Sequence, residues 1–211
     1  MGLEILRETS LNAHIKSLKK RKKENTVDTM SMVSRAPSLT TVIDYIEEHK
    51  EKLQRVNEFD FDTLKFCKEL GRKSALSVMT IHVLQQLHID QLPNMNQLKL
   101  SRFLGRIYKG YRRDVEYHND MHAVDVLQMS YLFLTRGRIV AFAQLSELDA
   151  LSVCISAICH DFDHDGFNNA YHVNKISDRA IRYSDQSVQE HYHAAESFAL
   201  LSKDEIQAWK E

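Results

Sequence analysis

The sequence contains few of the residues that form turns. Only six glycines and two prolines occur among 211 residues. All-β sandwiches and barrels need a turn signal about every 8–12 residues, so this scarcity argues against them. No segment alternates between apolar and polar residues for long. We therefore predict an all-α fold, a multi-helix bundle.

Other absences exclude further classes of protein. The cysteines (Cys67, Cys154 and Cys159) form no C-x-x-C pair and no disulfide framework, which predicts a reduced, cytoplasmic protein. The N-terminus lacks the apolar region of a secretory signal, and no stretch approaches the roughly 18 apolar residues of a membrane span. We therefore expect no membrane span. Since the formal net charge is −1, no overall field draws the chain toward nucleic acid or an anionic membrane, and we expect no nucleic-acid partner.

The first 55 residues differ from the rest in composition. They hold a basic run at 19–23 and a Ser/Thr-rich stretch at 25–41. We interpret residues 1–55 as a regulatory or linking extension, through which a homodimer or a regulatory partner would form. The basic run is either a nuclear or phospholipid address or a solvated helix face. Beyond it, apolar residues recur every three or four positions, as they do in helices that face a core.

An acidic, histidine-bearing segment follows a long apolar run. Residues 148–159 predict a buried helix, and His160, Asp161, Asp163 and His164 come directly after it. A polar helix end would explain one histidine, because a cation is favourable at a helix C-terminus. It does not explain two carboxylates there, because the same dipole repels them. A bound divalent cation would offset that repulsion, and Asp163 and His164 are close enough to orient its ligands.

A second cluster lies at 117–125, with the sequence YHNDMHAVD. If this segment is helical, His118, His122 and Asp125 share one face. Two such imidazoles either bind a metal together or divide metal binding and substrate chemistry between them. The alternative is a pair of surface histidines.

The combination of histidine and aspartate suits two different ions. Imidazoles favour Zn²⁺, whereas carboxylates also suit Mg²⁺ or Mn²⁺. Two metals bridged by a carboxylate can activate water for attack on phosphorus.

Taken together, the motifs resemble those of the class I 3′,5′-cyclic nucleotide phosphodiesterases. That family carries Y-H-N-x-x-H-A-x-D, seen at 117–125, and H-D-x-D-H-x-G-x-x-N, seen at 160–169. A third family motif, Y-x-D-x-S-V-x-E-x-x-H, matches residues 183–193. The resemblance implies an all-α fold in which residues 56–211 form the N-terminal half of the catalytic domain.

The resemblance also implies roles for the motif residues. His118 would be the general acid that protonates the departing O3′ of the ribose. The zinc-like ion would be held by His122, His160 and Asp161. Asp161 would also bridge to a second, magnesium-like ion, and water activated by the pair would attack the cyclic phosphate.

Five further residues receive supporting roles from the resemblance. His164 and Glu190 would hold waters around the second metal, and His193 would support them. Tyr117 would lie near the phosphate, and Asp125 would brace His122 or its neighbour.

The chain departs from the family pattern in three respects. Tyr192 stands where the family usually has histidine, and Asp165 stands where it often has proline. The family's fourth ligand of the first metal, an Asp, and its purine-binding Gln come from the later half of the domain. We therefore expect the chain to be incomplete for activity on its own.

Two other functions stay open at this point. The chain could be a truncated, non-catalytic relative that binds metal or dimerises with a full-length enzyme. It could also be an HD-type phosphohydrolase acting on other nucleotides, although that class does not predict the elements at 117–119 and 187–190. The motifs do not distinguish cAMP from cGMP as substrate.

Overall fold

The structure is a computed structural model that describes residues 38–208. Its helices are α1 (Leu39–Glu48), α2 (Lys50–Leu53), α3 (Thr63–Leu70), α4 (Arg72–Gln86), α5 (Gln97–Gly110), α6 (Asp120–Thr135), α7 (Ile139–Ala143), α8 (Glu147–Cys159), α9 (Asn169–Asn174), α10 (Asp178–Arg182) and α11 (Val188–Leu201). No strand occurs between residues 38 and 208, and the prediction of an all-α fold is confirmed.

Local sequence determines where the helices that matter for the site begin. The side chain of Asn119 accepts a hydrogen bond from the Met121 amide at 2.9 Å, so α6 begins at Asp120. Helix α8 begins after Ser146, which forms a reciprocal capping box with Asp149. Between α3 and α4, Gly71 has a φ of 78°, a backbone conformation that favours glycine.

Helices α4, α6 and α8 form the centre of the core, and α6 packs against both of the others. Helix α4 is buried on nearly every side between Ser74 and Leu84. Leu76, Leu127 and Ile158, one from each of these helices, are fully buried. Burying a side chain of this size contributes roughly 1.5–3 kcal/mol. The contact between α6 and α8 therefore fixes the relative positions of their ends, where the two histidine clusters lie.

Part of the segment interpreted as an extension packs into this core. Val42 of α1 and Leu53 of α2 are each no more than 1% exposed. The basic run at 19–23 lies outside the described residues, so the role of residues 1–55 stays a prediction. Among the described residues, no helix is both long enough and apolar enough to cross a membrane.

The segment after α2 depends on one buried amide. Gln128 of α6 is 3% exposed, and its Nε2 donates to the carbonyl oxygens of Val56 at 2.7 Å and Glu58 at 3.1 Å.

We expect Gln128→Ala to lower the free energy of unfolding by about 1–3 kcal/mol, because both carbonyls lose their donor. Urea denaturation measures this change. Exposed Gln86→Ala is the control, expected to change stability by less than about 0.5 kcal/mol. Equal effects of the two substitutions would contradict this account of the segment.

Candidate metal centre

Both histidine clusters meet at one end of the bundle. His122 lies in the first turn of α6, His160 ends α8, and Asp161 follows it directly. Helix α11 contributes His193, which is 2% exposed. Three separate helices therefore carry the residues that surround the Asp161 carboxylate.

The first group of donors consists of His122, His160 and Asp161. The Nε2 atoms of the two histidines lie 3.3 Å apart. From Oδ2 of Asp161, Nε2 of His160 lies at 3.2 Å and Nε2 of His122 at 3.7 Å. Nδ1 of His160 lies 2.9 Å from the Ala157 carbonyl oxygen, which can only accept a hydrogen bond. Nδ1 is therefore the donor, and Nε2 of the neutral ring turns a lone pair toward the carboxylate.

The second group shares Asp161 and adds His164 and His193. Nδ1 of His193 donates to the Phe162 carbonyl oxygen at 2.7 Å. Nε2 of that ring lies 4.0 Å from Oδ1 of Asp161, is buried, and has no hydrogen-bond partner within the described part of the chain. A buried lone pair that faces a carboxylate is unfavourable unless a cation or a proton donor lies between them. The donor chemistry on both sides of Asp161 therefore fits divalent ions.

His164 has the opposite tautomer. Its Nδ1 accepts a hydrogen bond from the Gly166 amide at 2.9 Å, so the neutral ring carries its proton on Nε2. Burial is the main cause that lowers the pKa of His164 to about 4, and the charge of His118 adds to it. His164 therefore has a hydrogen to donate from Nε2, which suits holding a water molecule better than binding a metal directly.

In the first group, the pKa shifts of His122 and Asp161 favour metal binding, whereas the shift of His160 opposes it. Burial, helped by the neighbouring His160, lowers the pKa of His122. Burial alone would raise the pKa of Asp161, but the hydrogen bond and charge of His160 outweigh it and hold that pKa below its ordinary value. The pKa of His160 is raised: burial opposes this shift, but the bonds to Asp161 and Ala157 prevail. A neutral imidazole and an ionised carboxylate are the forms that bind metals.

His118 corrects one expectation from the sequence. It does not share a helical face with His122, because Asn119 begins the helix and leaves His118 in the preceding loop. Its ring instead stacks on His164, with centroids 4.1 Å apart and planes 13° apart. The centroids of His118 and His122 lie 6.0 Å apart. His118 is thus close to the donor groups without belonging to either of them.

The other candidate residues lie around the same centre. Tyr117 is 65% exposed, and its ring centroid is 4.6 Å from that of His122. Asp125 accepts a hydrogen bond from Thr63 of α3 at 2.5 Å, which ties α6 to α3. Glu190 accepts from Nδ2 of Asn169 at 3.0 Å. The roles predicted for these residues stay predictions.

A cleft of about 330 Å³ opens beside the centre. Five of the candidate residues line it: His118, Asp161, His164, Glu190 and His193. Asn168, Asn169 and Gln189 line it too, and sequence reasoning did not single them out as site residues. Asn169 closes the second motif, which was the available signal. Gln189 lies between two motif residues and gave no signal of its own.

The loop after α8 is anchored by an aromatic side chain that the sequence did not mark. Phe162 packs so closely on Gly110 of α5 that a Cβ at this glycine would lie 1.9 Å from the ring. Tyr111 meets the same ring edge-on at a centroid distance of 6.3 Å and donates to the Ile158 carbonyl at 3.0 Å. Gly110 is needed here for the close approach, which fixes the residue next to Asp161.

The departures at Asp165 and Tyr192 have structural partners. Asp165 lies 3.2 Å from Nη1 of Arg179 and 3.3 Å from Nε2 of His172. Burial would raise the pKa of Asp165, but the charge of Arg179 and further hydrogen bonds lower it below its ordinary value. The hydroxyl of Tyr192 donates to Asp163 at 2.5 Å. The extra negative charge at Asp165 is therefore neutralised by the protein itself.

Comparison with known proteins agrees with this geometry. The family model described as 3′5′-cyclic nucleotide phosphodiesterase matches residues 117–211. That range holds every candidate residue of the metal centre. The chain belongs to this family.

Individual relatives support the assignment. The 3′,5′-cyclic-nucleotide phosphodiesterase regA of Dictyostelium discoideum is 30% identical over 157 residues, which cover 74% of this chain and 19% of the relative. A high affinity cGMP-specific 3′,5′-cyclic phosphodiesterase 9A of Drosophila melanogaster is 36% identical over 111 residues, covering 53% of this chain and 7% of the relative. The phosphodiesterase domain of a rhodopsin fusion protein from Salpingoeca rosetta superposes with a TM-score of 0.65 at 34% identity.

The chain spans only part of these phosphodiesterases. It covers 46% of the solved Salpingoeca rosetta domain, which in turn covers 74% of this chain. The curated relatives are matched over less than a third of their length.

The metal-free protein should lose stability as the pH falls from about 7 toward 4. Burial lowers the folded-state pKa values of His122, His164 and His193 below the ordinary value near 6.5, so the unfolded chain binds more protons across that window. Stability is then greatest above pH 6.5 and decreases below it. Of the four histidines around Asp161, only His160 has a raised pKa and opposes this loss. Thermal unfolding at a series of pH values measures the slope. His164→Asn should flatten it, and an unchanged slope would contradict the assignment of a neutral, buried His164.

Proposed function

We propose that the chain carries the metal-binding part of an active site that hydrolyses 3′,5′-cyclic nucleotides to 5′-monophosphates. The observation that carries the proposal is the Asp161 carboxylate, which belongs to two donor groups at once. Such sharing is what a bridging ligand of two metals requires. Membership of the phosphodiesterase family supports the same reaction. The protein would act in signal transduction.

Two divalent ions, Zn²⁺ and Mg²⁺ or Mn²⁺, fit the residues present. His122, His160 and Asp161 offer two nitrogens and one oxygen to a zinc-like ion, the donor set that zinc prefers. The other oxygen of Asp161 would serve the harder second ion. Bound there, the cations would supply a Lewis acid that polarises the phosphoryl oxygens and lowers the pKa of a water.

The remaining residues would orient water and substrate. His164 presents an Nε2 hydrogen to the cleft, and Glu190 presents a carboxylate that Asn169 holds in place. Together they would position the waters beside the second ion. His193 would hold the same region through its unpartnered Nε2. These are the chain's own contributions to orienting the attack on phosphorus.

His118 is suited to transfer a proton to the leaving O3′. It lines the cleft, lies outside both donor groups, and stacks on the neutral ring of His164. An imidazole that is not bound to metal can carry the proton that the departing alkoxide needs. Tyr117, exposed beside His122, would lie near the phosphate. Asp125, fastened to α3, would keep the first turn of α6 in place and so brace His122.

The substrate is proposed as cAMP, cGMP or both. One relative is named as a cyclic-nucleotide phosphodiesterase and another as cGMP-specific. Regulation by dimerisation or by a partner through residues 1–55 is part of the same proposal.

Asp161→Asn should remove metal binding at both positions. The amide cannot bridge two cations as a carboxylate does, so both donor groups lose their shared member. Calorimetric titration with Zn²⁺ and with Mn²⁺ measures the binding. The control is Asp185→Asn, which changes an exposed carboxylate in a backbone conformation that asparagine tolerates. Unchanged zinc binding by Asp161→Asn would contradict the proposal.

His118→Ala should keep the metals and slow the reaction. We expect turnover to fall by a factor on the order of 10²–10⁴, the usual effect of losing a general acid. The assay uses a catalytic domain completed to the length of the solved relatives, with cAMP and cGMP as substrates and the metal content measured in parallel. Exposed His191→Ala is the matched control. If His118→Ala instead lost its metal, the assignment of His118 as an acid would be wrong.

A further inference from the structure

Two residues of the metal centre lie on an irregular loop that needs support. Asp161 and His164 both belong to the connection between α8 and α9. Asp163, between them, has a φ of 58°, in the left-handed region that non-glycine residues adopt at a cost of roughly 1 kcal/mol or more. Phe162 is fixed against Gly110. The other side of the loop must be held by different contacts.

Arg179 of α10 provides those contacts. Its Nη2 donates to the Asp163 carbonyl oxygen at 3.4 Å and lies 3.8 Å from the carboxylate of the same residue. Its Nη1 lies 3.2 Å from Oδ2 of Asp165 and donates to Oε1 of Gln189 at 2.7 Å. The planar, forked guanidinium can engage several acceptors at once, which a lysine cannot do. The Arg179 side chain is only 15% exposed, so solvent screens these contacts little.

Tyr192 closes the network on its third side. The Arg179 guanidinium lies over the Tyr192 ring at 3.5 Å from the centroid, a cation–π contact. The hydroxyl of the same tyrosine donates to Asp163 at 2.5 Å. Gln189 in turn donates to Asp165 at 3.0 Å. The two departures from the family pattern, Asp165 and Tyr192, thus meet on one arginine.

We propose that Arg179 is a positioning residue that joins Asp163, Asp165 and Tyr192 into one unit and so holds Asp161 and His164 in the geometry that receives the metals. The inference rests on the proposed function in so far as the donors bind metal. Asp165 is in this account a counter-charge for Arg179 and not a metal ligand. The departures at 165 and 192 are then parts of one network around Arg179.

The test begins with Arg179→Gln in the full chain. We expect zinc affinity, measured by competition with a chelator, to fall by about 10–100-fold, the usual effect of removing a group that orients a metal ligand. Arg179→Lys keeps the positive charge but loses the contact with the Tyr192 ring and the forked guanidinium. Its zinc affinity should therefore lie between those of the wild-type chain and Arg179→Gln. The matched control is Arg182→Gln on the same helix, an exposed arginine that should leave the affinity unchanged.

The double variant Arg179→Gln with Asp165→Asn separates positioning from stability. Arg179→Gln alone leaves the half-buried carboxylates of Asp163 and Asp165 without their cation and should also lower the urea midpoint. Removing the Asp165 charge as well should restore much of that midpoint, while zinc affinity stays low. If the double variant recovered both the wild-type urea midpoint and the wild-type zinc affinity, the proposal would be overturned, because Arg179 would then only stabilise the fold.

A second measurement does not depend on metal. Amide hydrogen exchange of His164 and Gly166 in the metal-free chain should accelerate at least about tenfold in both Arg179→Gln proteins, because the loop opens more often. Core amides such as Met79 should exchange at the wild-type rate once the change in the variant's free energy of unfolding is allowed for. Unchanged exchange at His164 and Gly166 would overturn the positioning role. Failure of the wild-type chain to bind Zn²⁺ or Mn²⁺ would instead overturn the proposed function. The exchange result would still decide whether Arg179 positions the loop.

Discussion

A half-buried carboxylate that faces several imidazole lone pairs is the constraint on which the site depends. Asp161 faces the Nε2 atoms of His122 and His160 on one side and that of His193 on the other. Burial lowers the pKa of His122 and His193, so these two rings are poor proton carriers beside Asp161, whereas the bond to Asp161 raises the pKa of His160. Divalent cations would satisfy it, because the free Nε2 lone pairs and both oxygens of Asp161 would then face a positive charge.

The helix bundle holds the residues around Asp161 in fixed positions. The packing of α6 on α8 sets the separation of His122 and His160, and side-chain caps at Asn119 and Ser146 set where those helices begin. Helix α11 brings the third imidazole from a distant part of the sequence. The irregular loop between α8 and α9 is held by packing on one side and by an arginine-centred network on the other. Rigid helices and a braced loop together preorganise the donors, which lowers the cost of binding metal.

Sequence reasoning predicted the fold class and the two histidine clusters because both are local patterns. The apolar period of three and four indicates helices, and carboxylates directly after a helix C-terminus are unfavourable without a compensating cation. For Asp163 that cation is Arg179, whose Nη2 lies 3.8 Å from the carboxylate. Sequence reasoning failed at His118, since the cap at Asn119 was not weighed against continuation of the helix. The Arg179 network could not be predicted, because its members are distant in sequence and meet only in the fold.

The central proposal is that Asp161 would be shared by two cations. Anomalous diffraction from crystals grown with Zn²⁺ and Mn²⁺, recorded at the absorption edge of each metal, tests it most directly. The account predicts a zinc peak about 2.0–2.1 Å from Nε2 of His122 and His160, and a second peak beside the opposite oxygen of Asp161. Crystals with no peak at Asp161, or with metal at Asp165 instead, would contradict it.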